Sequence, residues 1–341
     1  MRHKLLALIL PLAAIVGCAK TGDSTDYTRF VNTKIGSGGH GHVFVGANVP
    51  FGLVQLGPTS IPQTWDWCSG YHDSDTTVIG FSHTHLEGTG IGDLFDVTVM
   101  PVIGSVTYAR GEAPAQDATP EEIEAAVKTG LWSYADRTKE ITRPGYYSVP
   151  LTRFGIMAEM TATSRVGLHR YTFPASDSSA IVFDLENGGC WDKATQTLTE
   201  AVDSVTIRGY RYSTGWAKNQ KVVFYAQFSK PFDSFSNIGA YSRMAFHTTE
   251  GEQVMVKVAL SPVSMEGAQA NLAAEMPGWD FEGTVKAAEK AWNEELSKIK
   301  VDTDDAEART VFYTAMYHTM IQPSVFNDVN RDYRGADDQI D

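Results

Sequence analysis

Two histidines separated by one residue, His83 and His85, lie in the polar segment "GFSHTHLEGTG" (residues 80–90). On an extended segment residues i and i+2 share a face, so both imidazoles can bind one metal ion if Asp93 or Asp96 supplies a third ligand. The segment has neither the helical HExxH spacing nor a cysteine pair that would support zinc. We therefore expect a histidine pair that is fixed by hydrogen bonds, holds the shape of the loop and borders a binding pocket.

The loop "TWDWCSGYHDSD" (residues 64–75) places aromatic side chains among carboxylates. Its candidate contacts are the aromatic residues Trp65, Trp67 and Tyr71, beside the acids Asp66, Asp73 and Asp75. A sugar site needs flat apolar faces for the C–H side of the ring and charged acceptors for its hydroxyls. One alternative is that the tryptophans fill the interior of the fold, and the Asp73/Asp75 pair alone is typical of a calcium ligand pair or of solvated acids.

A glycine-rich loop, "KIGSGGHGH" (residues 34–42), invites a phosphate-binding interpretation. It lacks the GK[ST] ending of a P-loop, a preceding buried strand and a following helix, so neither the P-loop nor the dinucleotide fingerprint is met. We also find no GxSxG motif or Ser-His-Asp set that would indicate a nucleophilic hydrolase.

The composition indicates a folded, acidic protein. The 341 residues are 43% hydrophobic, enough for a sizeable core, and the formal net charge is −13. This charge argues against a nucleic-acid partner and suits a protein that acts on neutral ligands.

The first 26 residues predict export. A basic start precedes an apolar run from Leu5 to Val16, which is too short to span a bilayer. The small residue before Cys18 resembles a bacterial lipobox, so we expect Cys18 to be lipidated and to anchor an otherwise soluble protein to a bacterial membrane, in the periplasm or at the cell surface. The alternative is an ordinary cleaved signal.

Two further cysteines are present, Cys68 and Cys190. We expect them to be buried thiols rather than to form a disulfide.

Residues 27–277 have the pattern of a large antiparallel β-sandwich. Short apolar or alternating runs rich in Val, Tyr, Phe, Thr and Ile recur between clusters of Gly, Pro, Asn and Asp. One surface helix interrupts them, because Thr119 and Glu122 form a capping box and Gly130 follows.

The pattern becomes helical near residue 278. Apolar residues three and four apart predict an amphipathic linker helix over 278–300, with Val285, Ala288, Trp292, Leu296 and Ile299 on its buried face. A second helix begins in residues 301–341, where Asp304 can cap and Pro323 closes it. Its apolar residues Val311, Phe312, Ala315, Met316, Thr319 and Met320 cover more than one stripe, which predicts neighbours on several sides. Since the sequence stops at Asp341, we expect a helical domain that is only begun.

Several long motifs, in the same order, resemble glycoside hydrolase family 92, a family of bacterial exo-acting α-mannosidases. They are "NTKIGSGGHGHVFVGANVPFGLVQLGP", "WDWCSGYHDSD", "IGFSHTHLEGTGIGDLFDVTVMP", "RPGYYSVPL" and "FYTAMYHTMIQPSVFNDVNRDYRGAD". The resemblance implies an N-terminal β-sandwich joined by a helical linker to an (α/α)6 barrel. It also implies calcium-dependent hydrolysis of α-mannose-containing glycans with inversion, by a carboxylic acid and a separate carboxylate base.

The resemblance assigns only supporting residues to this chain. Trp65 or Trp67 is expected to form the platform for the sugar, and Asp337 in "YRGAD" to accept hydrogen bonds from mannose hydroxyls. The acid, the base and most of the calcium site belong to the part of the barrel beyond residue 341. We therefore expect a chain that hydrolyses no mannoside by itself. The alternative is a carbohydrate-binding surface lipoprotein that captures sugar through Trp65, Trp67 and Tyr71.

Overall fold

A computed structural model describes residues 25–111, 119–127, 130–189 and 191–341. Cys18, the predicted export signal and Cys190 lie outside the described residues. The strands are β1 (Gly57–Thr59), β2 (Thr77–Val78), β3 (Gly80–Ser82), β4 (Thr98–Ile103), β5 (Ser133–Tyr134), β6 (Ile141–Arg143), β7 (Tyr146–Leu151), β8 (Ile156–Ala162), β9 (Val166–Phe173), β10 (Ser176–Asp184), β11 (Lys193–Ala201), β12 (Thr206–Thr214), β13 (Gln220–Phe228), β14 (Ser234–Ile238), β15 (Tyr241–Thr248) and β16 (Glu252–Ser261).

These strands form two large antiparallel sheets and one small one. The six-stranded sheet has the order β1-β3-β4-β10-β15-β14, the eight-stranded sheet has the order β11-β12-β13-β16-β9-β8-β7-β6, and β2 pairs with β5. Side chains from both large sheets share one core, in which Phe183 of β10 stacks on Phe224 of β13 at 5.6 Å between ring centres. The predicted antiparallel β-sandwich is confirmed.

Four α-helices accompany the sheets in the described residues: α1 (Pro120–Val127), α2 (Met265–Glu275), α3 (Phe281–Leu296) and α4 (Ala306–His318). The capping box of α1 is formed as predicted, since Thr119 N donates to Glu122 Oε2 and Glu122 N donates to Thr119 Oγ1. None of the helices in the described ranges is long and apolar enough to cross a membrane.

Helix α2 was not predicted. It packs on the outer face of the eight-stranded sheet, where Ala268 and Leu272 meet Val166 and Tyr225. Ser264 caps its first turn by accepting from Gly267 N.

Helix α3 is the predicted linker helix, and it buries Val285, Ala288, Trp292 and Leu296. The expectation for Ile299 was wrong, because the helix ends at Leu296 and the Ile299 side chain is 52% exposed.

Helix α4 begins one residue later than predicted. Asp305, not Asp304, caps it by accepting from Ala308 N at 2.9 Å. Tyr313, Thr314 and Tyr317 form its buried face. Of the residues predicted to be apolar contacts of this helix, Val311, Ala315 and Thr319 are exposed, and Thr319 and Met320 follow the helix end at His318.

Candidate functional site

The sandwich and the helical segment meet at the loop that follows β3. Gln322 Nε2 donates to the carbonyl of His85 at 2.9 Å, and Glu87 N donates to Gln322 Oε1 at 3.3 Å. The Glu87 carboxylate accepts from Phe44 N and lies 2.7 Å from His318 Nδ1 of α4. The loop that carries the predicted histidine pair is therefore held from both sides of this junction.

His83 lies wholly inside the sandwich. Its Nδ1 donates to the carbonyl of Val97 at 2.6 Å, and its Nε2 lies 3.0 Å from Nε2 of His169. The other ring nitrogen of His169 accepts from the Tyr171 hydroxyl at 2.8 Å. Burial lowers the pKa of His83 to about 4 and holds that of His169 well below its ordinary value.

His85 is equally buried, between the rings of Phe44 and Phe95. Its Nδ1 donates to the carbonyl of Gln55 at 2.8 Å, and burial lowers its pKa to about 4. Gly70 packs against this ring, since a Cβ at its position would lie 3.0 Å from the His85 ring. These contacts support the shape-holding interpretation of the pair.

The two aspartates considered as partners of this pair have other contacts. Asp96 accepts from Thr84 Oγ1 and pairs with the buried guanidinium of Arg211 at 2.7 Å. Asp93 Oδ2 accepts from Ala217 N. The structure therefore does not bring His83, His85 and an aspartate together around a common point.

Trp65 is a rigidly held indole with an open face. Its side chain is 48% exposed, and its Nε1 donates to the Gly90 carbonyl at 2.8 Å. Gly90 has to be a glycine, because a Cβ there would lie 2.4 Å from the indole. The His42 ring packs edge-on against Trp65 at 4.3 Å, so the orientation of the indole is fixed by its neighbours.

Trp67 is half-buried and stacks on the ring of His72 at 4.3 Å. Its Nε1 donates to Asp75 Oδ2 at 2.6 Å, while Asp75 Oδ1 accepts from Thr77 N. Asp75 is therefore committed to protein donors, whereas Asp73 is exposed.

Tyr71 is buried, contrary to what a direct sugar contact requires. Only 1% of its side chain is accessible, its hydroxyl donates to Glu140 at 3.0 Å, and the guanidinium of Arg137 lies 4.3 Å above its ring. Burial raises the pKa of its hydroxyl far above the ordinary value. The physical reason is its place in the buried cluster around Glu140, which also accepts from Tyr147 and pairs with Lys34.

Asp337 lies in an exposed turn between Arg334 and Ile340, where the chain forms an isolated bridge. Its Oδ1 accepts from Gln339 N at 3.2 Å. Its neighbour Asp338 pairs with Lys221 of β13, which fixes this turn against the sandwich.

Two histidines that the sequence analysis did not weigh stand next to Trp65. His40 Nδ1 and His42 Nε2 lie 2.7 and 3.0 Å from the same oxygen, Asp66 Oδ1. Hydrogen bonding to His40, and further to His42, lowers the pKa of Asp66. The signal was present in the sequence, since His40 and His42 repeat the one-residue spacing of His83 and His85.

Several residues other than glycine adopt a left-handed backbone conformation in the loops between residues 42 and 97. Phe51, Leu94, Phe95 and Val97 have φ between 53° and 68°, as does His42 at 55°. For a β-branched residue such as Val97 this conformation is a genuine outlier, and such strain concentrates at functional segments.

A groove of about 300 Å³ lies between α3 and the sandwich. Its lining includes Val49, Phe51, Ala288 and Glu294, and none of the six predicted sugar-site residues. Of the predicted contacts, Trp65 and Asp337 are exposed and Trp67 is half-buried.

Two family profiles match the chain. The profile of the glycosyl hydrolase family 92 N-terminal domain matches residues 30–261, and that of the family 92 catalytic domain matches residues 267–341.

Similar proteins agree with these matches. The structure of the family GH92 α-mannosidase BT3965 from Bacteroides thetaiotaomicron, in complex with mannoimidazole, is 32% identical over 93% of this chain and 43% of its own, with a TM-score of 0.83. An "uncharacterized secreted glycosidase" from Arthroderma benhamiae is 25% identical over 94% of this chain and 45% of its own. The gh92 family glycosyl hydrolase ccman5, at 22% identity and a TM-score of 0.78, shares the fold. This chain spans less than half the length of each of these relatives.

Proposed function

The chain belongs to glycosyl hydrolase family 92, and on that basis we propose that it forms part of an exo-acting, inverting glycoside hydrolase that releases mannose from α-mannosides. Its own residues supply one wall of the sugar site. The likeness to BT3965, a family GH92 α-mannosidase solved with mannoimidazole, supports this choice of substrate.

One observation supports the wall most strongly: the half-exposed indole of Trp65, which the Gly90 carbonyl holds in place next to Asp66. A fixed aromatic face packs against the C–H side of a pyranose with little loss of conformational entropy. We propose that Trp65 is the platform, that Trp67 supports it, and that Asp337 accepts from sugar hydroxyls. Tyr71, His83 and His85 are interior and act by holding the loops in place.

The carboxylates around Trp65 are poorly suited to proton transfer. Inversion requires an acid for the leaving oxygen and a base for a water on the opposite face of the ring. Asp66 is bonded to two imidazoles, Asp75 accepts from Trp67 and Thr77, and Glu87 is held by Phe44 N and His318. We propose that the acid and base are supplied by the family's catalytic domain outside the residues present here.

Calcium, which the family resemblance implies, does not fit the clustered donors of this chain. Calcium takes six to eight oxygen ligands. Within the described part of the chain, the group of side chains close enough to share an ion is His40, His42 and Asp66, whose donors are mainly nitrogen. We propose that the calcium ligands lie mostly in the rest of the catalytic domain.

We also propose the division of the chain and its location. Residues 1–26 act as an export signal and tether lipidated at Cys18, residues 27–277 form the sandwich domain, residues 278–300 form the linker and residues 301–341 open the catalytic domain. The secreted description of the Arthroderma relative supports export. Metabolic labelling with a palmitate analogue, compared between the natural chain and Cys18→Ser, tests the anchor.

Activity is tested directly with the 341-residue chain. Incubated with an aryl α-mannoside in millimolar Ca²⁺, it is expected to release no aryl alcohol above the buffer rate. Release that EDTA abolishes would show that the acid and base are among residues 1–341 and would refute the assignment above.

The platform is tested by Trp65→Ala, with Trp216→Ala as the matched control because that indole is 62% exposed. In the gene product that includes any residues encoded after Asp341, Trp65→Ala is expected to lower kcat/KM for the aryl α-mannoside about tenfold, the effect of losing about 1.4 kcal/mol of stacking. Trp216→Ala is expected to leave it unchanged.

Calorimetry with mannose separates the alternative, a sugar-capturing lipoprotein. The 341-residue chain, which supplies only one wall of the site, is expected to give no measurable heat of binding. Binding by the 341-residue chain that Trp65→Ala removes and Trp216→Ala retains would favour capture over catalysis.

A further inference from the structure

His40, His42 and Asp66 converge on one point of the surface. The ligand atoms of the three side chains all lie within 4.8 Å of one another. Both imidazoles donate to one carboxylate oxygen, His40 at 2.7 Å and His42 at 3.0 Å. One hydrogen bond would account for one histidine next to Asp66. It does not account for two histidines that share the same carboxylate oxygen.

We propose that His40, His42 and Asp66 bind a divalent cation of the zinc class, with one ligand position left open to solvent. Two imidazole nitrogens and one carboxylate oxygen suit zinc, nickel or copper, whereas calcium prefers oxygen alone. The site goes beyond the proposed sugar wall, and its test does not depend on that wall.

The spacing of the donors is close to what such an ion requires. Tetrahedral zinc with bonds of about 2.0 Å holds neighbouring ligand atoms roughly 3.3 Å apart. The two nitrogen–oxygen separations, 2.7 and 3.0 Å, are shorter than this, and all three ligand atoms lie within 4.8 Å of one another. Binding therefore replaces two N–H···O contacts by metal–nitrogen bonds and requires the carboxylate oxygen to move away from the imidazoles to admit the ion.

The backbone holds the two histidines in position. Gly41, between them, has no room for a side chain, since a Cβ would lie 1.8 Å from the Gly36 carbonyl oxygen. His42 adopts a left-handed φ of 55°, and its carbonyl accepts from Gly88 N at 2.8 Å. An L-residue keeps this conformation only where its surroundings impose it, so the direction of the His42 side chain is set before any ligand arrives.

Burial is graded across the three ligands, as an accessible ion site requires. The His42 side chain is 5% exposed, that of Asp66 is 22% exposed and that of His40 is 78% exposed. His42 also packs edge-on against the Trp65 indole. An ion at this point would reach solvent on the His40 side and would tie the glycine-rich loop to the turn that carries Trp65.

The experiment is calorimetric titration of ZnCl₂ into the 341-residue chain, produced without a histidine tag and held in a non-chelating buffer at pH 7.5. We expect one zinc per chain, and CaCl₂ at the same concentration should give no binding at this site. His40→Ala is expected to weaken zinc binding more than tenfold, because it removes a direct ligand, and losing a group that only orients a ligand already costs about tenfold. Asp66→Asn should weaken it likewise.

His247→Ala is the matched control. His247 forms the same kind of contact, 2.6 Å to Asp233, at an exposed position without a second imidazole in the pair. We expect it to leave zinc affinity unchanged. Circular dichroism confirms folding of each variant; His40 is exposed, so its loss should not disturb the fold. Zinc binding that is absent at 100 µM, or equal in the natural chain and His40→Ala, would overturn the proposal and leave the three side chains as a hydrogen-bonded cluster.

Discussion

His83 and His169 are buried in contact, in a state that leaves no room for an added proton between their rings. The Val97 carbonyl can only accept, so Nδ1 of His83 carries its hydrogen and Nε2 is the acceptor for His169. Protonation of His83 would place two N–H groups 3.0 Å apart. Both observations make the neutral form the one that the fold stabilises.

Stability should therefore fall as the pH is lowered from 7 towards 5. The pKa values of His83 and His85 are about 4 in the folded chain, against about 6.5 when unfolded. Because the unfolded chain binds protons that the folded chain rejects, the stabilisation is complete above pH 6.5 and is lost as pH falls towards 4. Each of the two histidines contributes a slope of about 1.4 kcal/mol per pH unit to the unfolding free energy. Over the whole range this amounts to about 3 kcal/mol for each histidine. Urea unfolding at half-unit steps of pH measures this.

His85→Gln removes one of these titrating groups. We expect it to reduce the slope of unfolding free energy against pH, between pH 6 and 5, by about 1.4 kcal/mol per pH unit. His247→Gln is the control for replacing a histidine with glutamine at an exposed position. Identical slopes for all three proteins would mean that the buried ring is not the source.

Around the candidate site, the sequence predicted the character of some side chains and not of others. The role of His83 and His85 in loop shape agrees with their burial, and Trp65 is exposed as a platform must be. Tyr71 was misjudged because its burial depends on Glu140 and Arg137, which are more than 60 residues away in the chain. No local pattern around Tyr71 carries that information.

At the scale of elements, long periodic patterns were predicted well and short ones poorly. Helix α3 repeats large apolar residues over four turns, and its buried face agrees with the pattern except at Ile299. Helix α2 was missed because its buried face is short, with Ala268 and Leu272 as its apolar members. The cap of α4 was displaced by one residue, since Asp304 and Asp305 are consecutive and helix ends are uncertain at that level.

The docking of α3 on the loops of the sandwich depends on Trp292. Its indole is fully buried, its Nε1 donates to the Asn48 carbonyl at 2.8 Å, and its ring lies 4.4 Å from that of Tyr317 on α4. Trp292→Phe leaves that carbonyl unsatisfied and removes buried ring volume, so we expect a loss of about 2 to 3 kcal/mol in unfolding free energy. Urea denaturation measures the loss.

Trp216→Phe makes the same chemical change at an indole that is 62% exposed. It should stay within about 0.5 kcal/mol of the natural chain. A similar cost for both substitutions would show that the contact with Asn48 adds nothing to the docking of α3.

At the scale of the whole molecule, the net charge opposes self-association and the exposed apolar surface favours it. The chain carries a net charge of −13, which keeps copies apart in solution. Yet five of the fourteen exposed large apolar side chains of the described residues lie after residue 310, namely Val311, Phe326, Val329, Tyr333 and Ile340. Exposed apolar surface favours association, by about 25 cal/mol for each Å² covered.

We therefore expect the 341-residue chain to self-associate, and Val311→Lys to reduce that association. Val202→Lys is a matched control, because both valines are 51% exposed and both substitutions change the net charge by +1. Sedimentation velocity over a range of concentrations should show Val311→Lys shifted towards monomer and Val202→Lys unchanged. Salt should strengthen the association of the natural chain, because screening weakens the repulsion between like net charges while leaving apolar contacts intact. If both lysine variants sediment as the natural chain does, the apolar residues after 310 do not drive association.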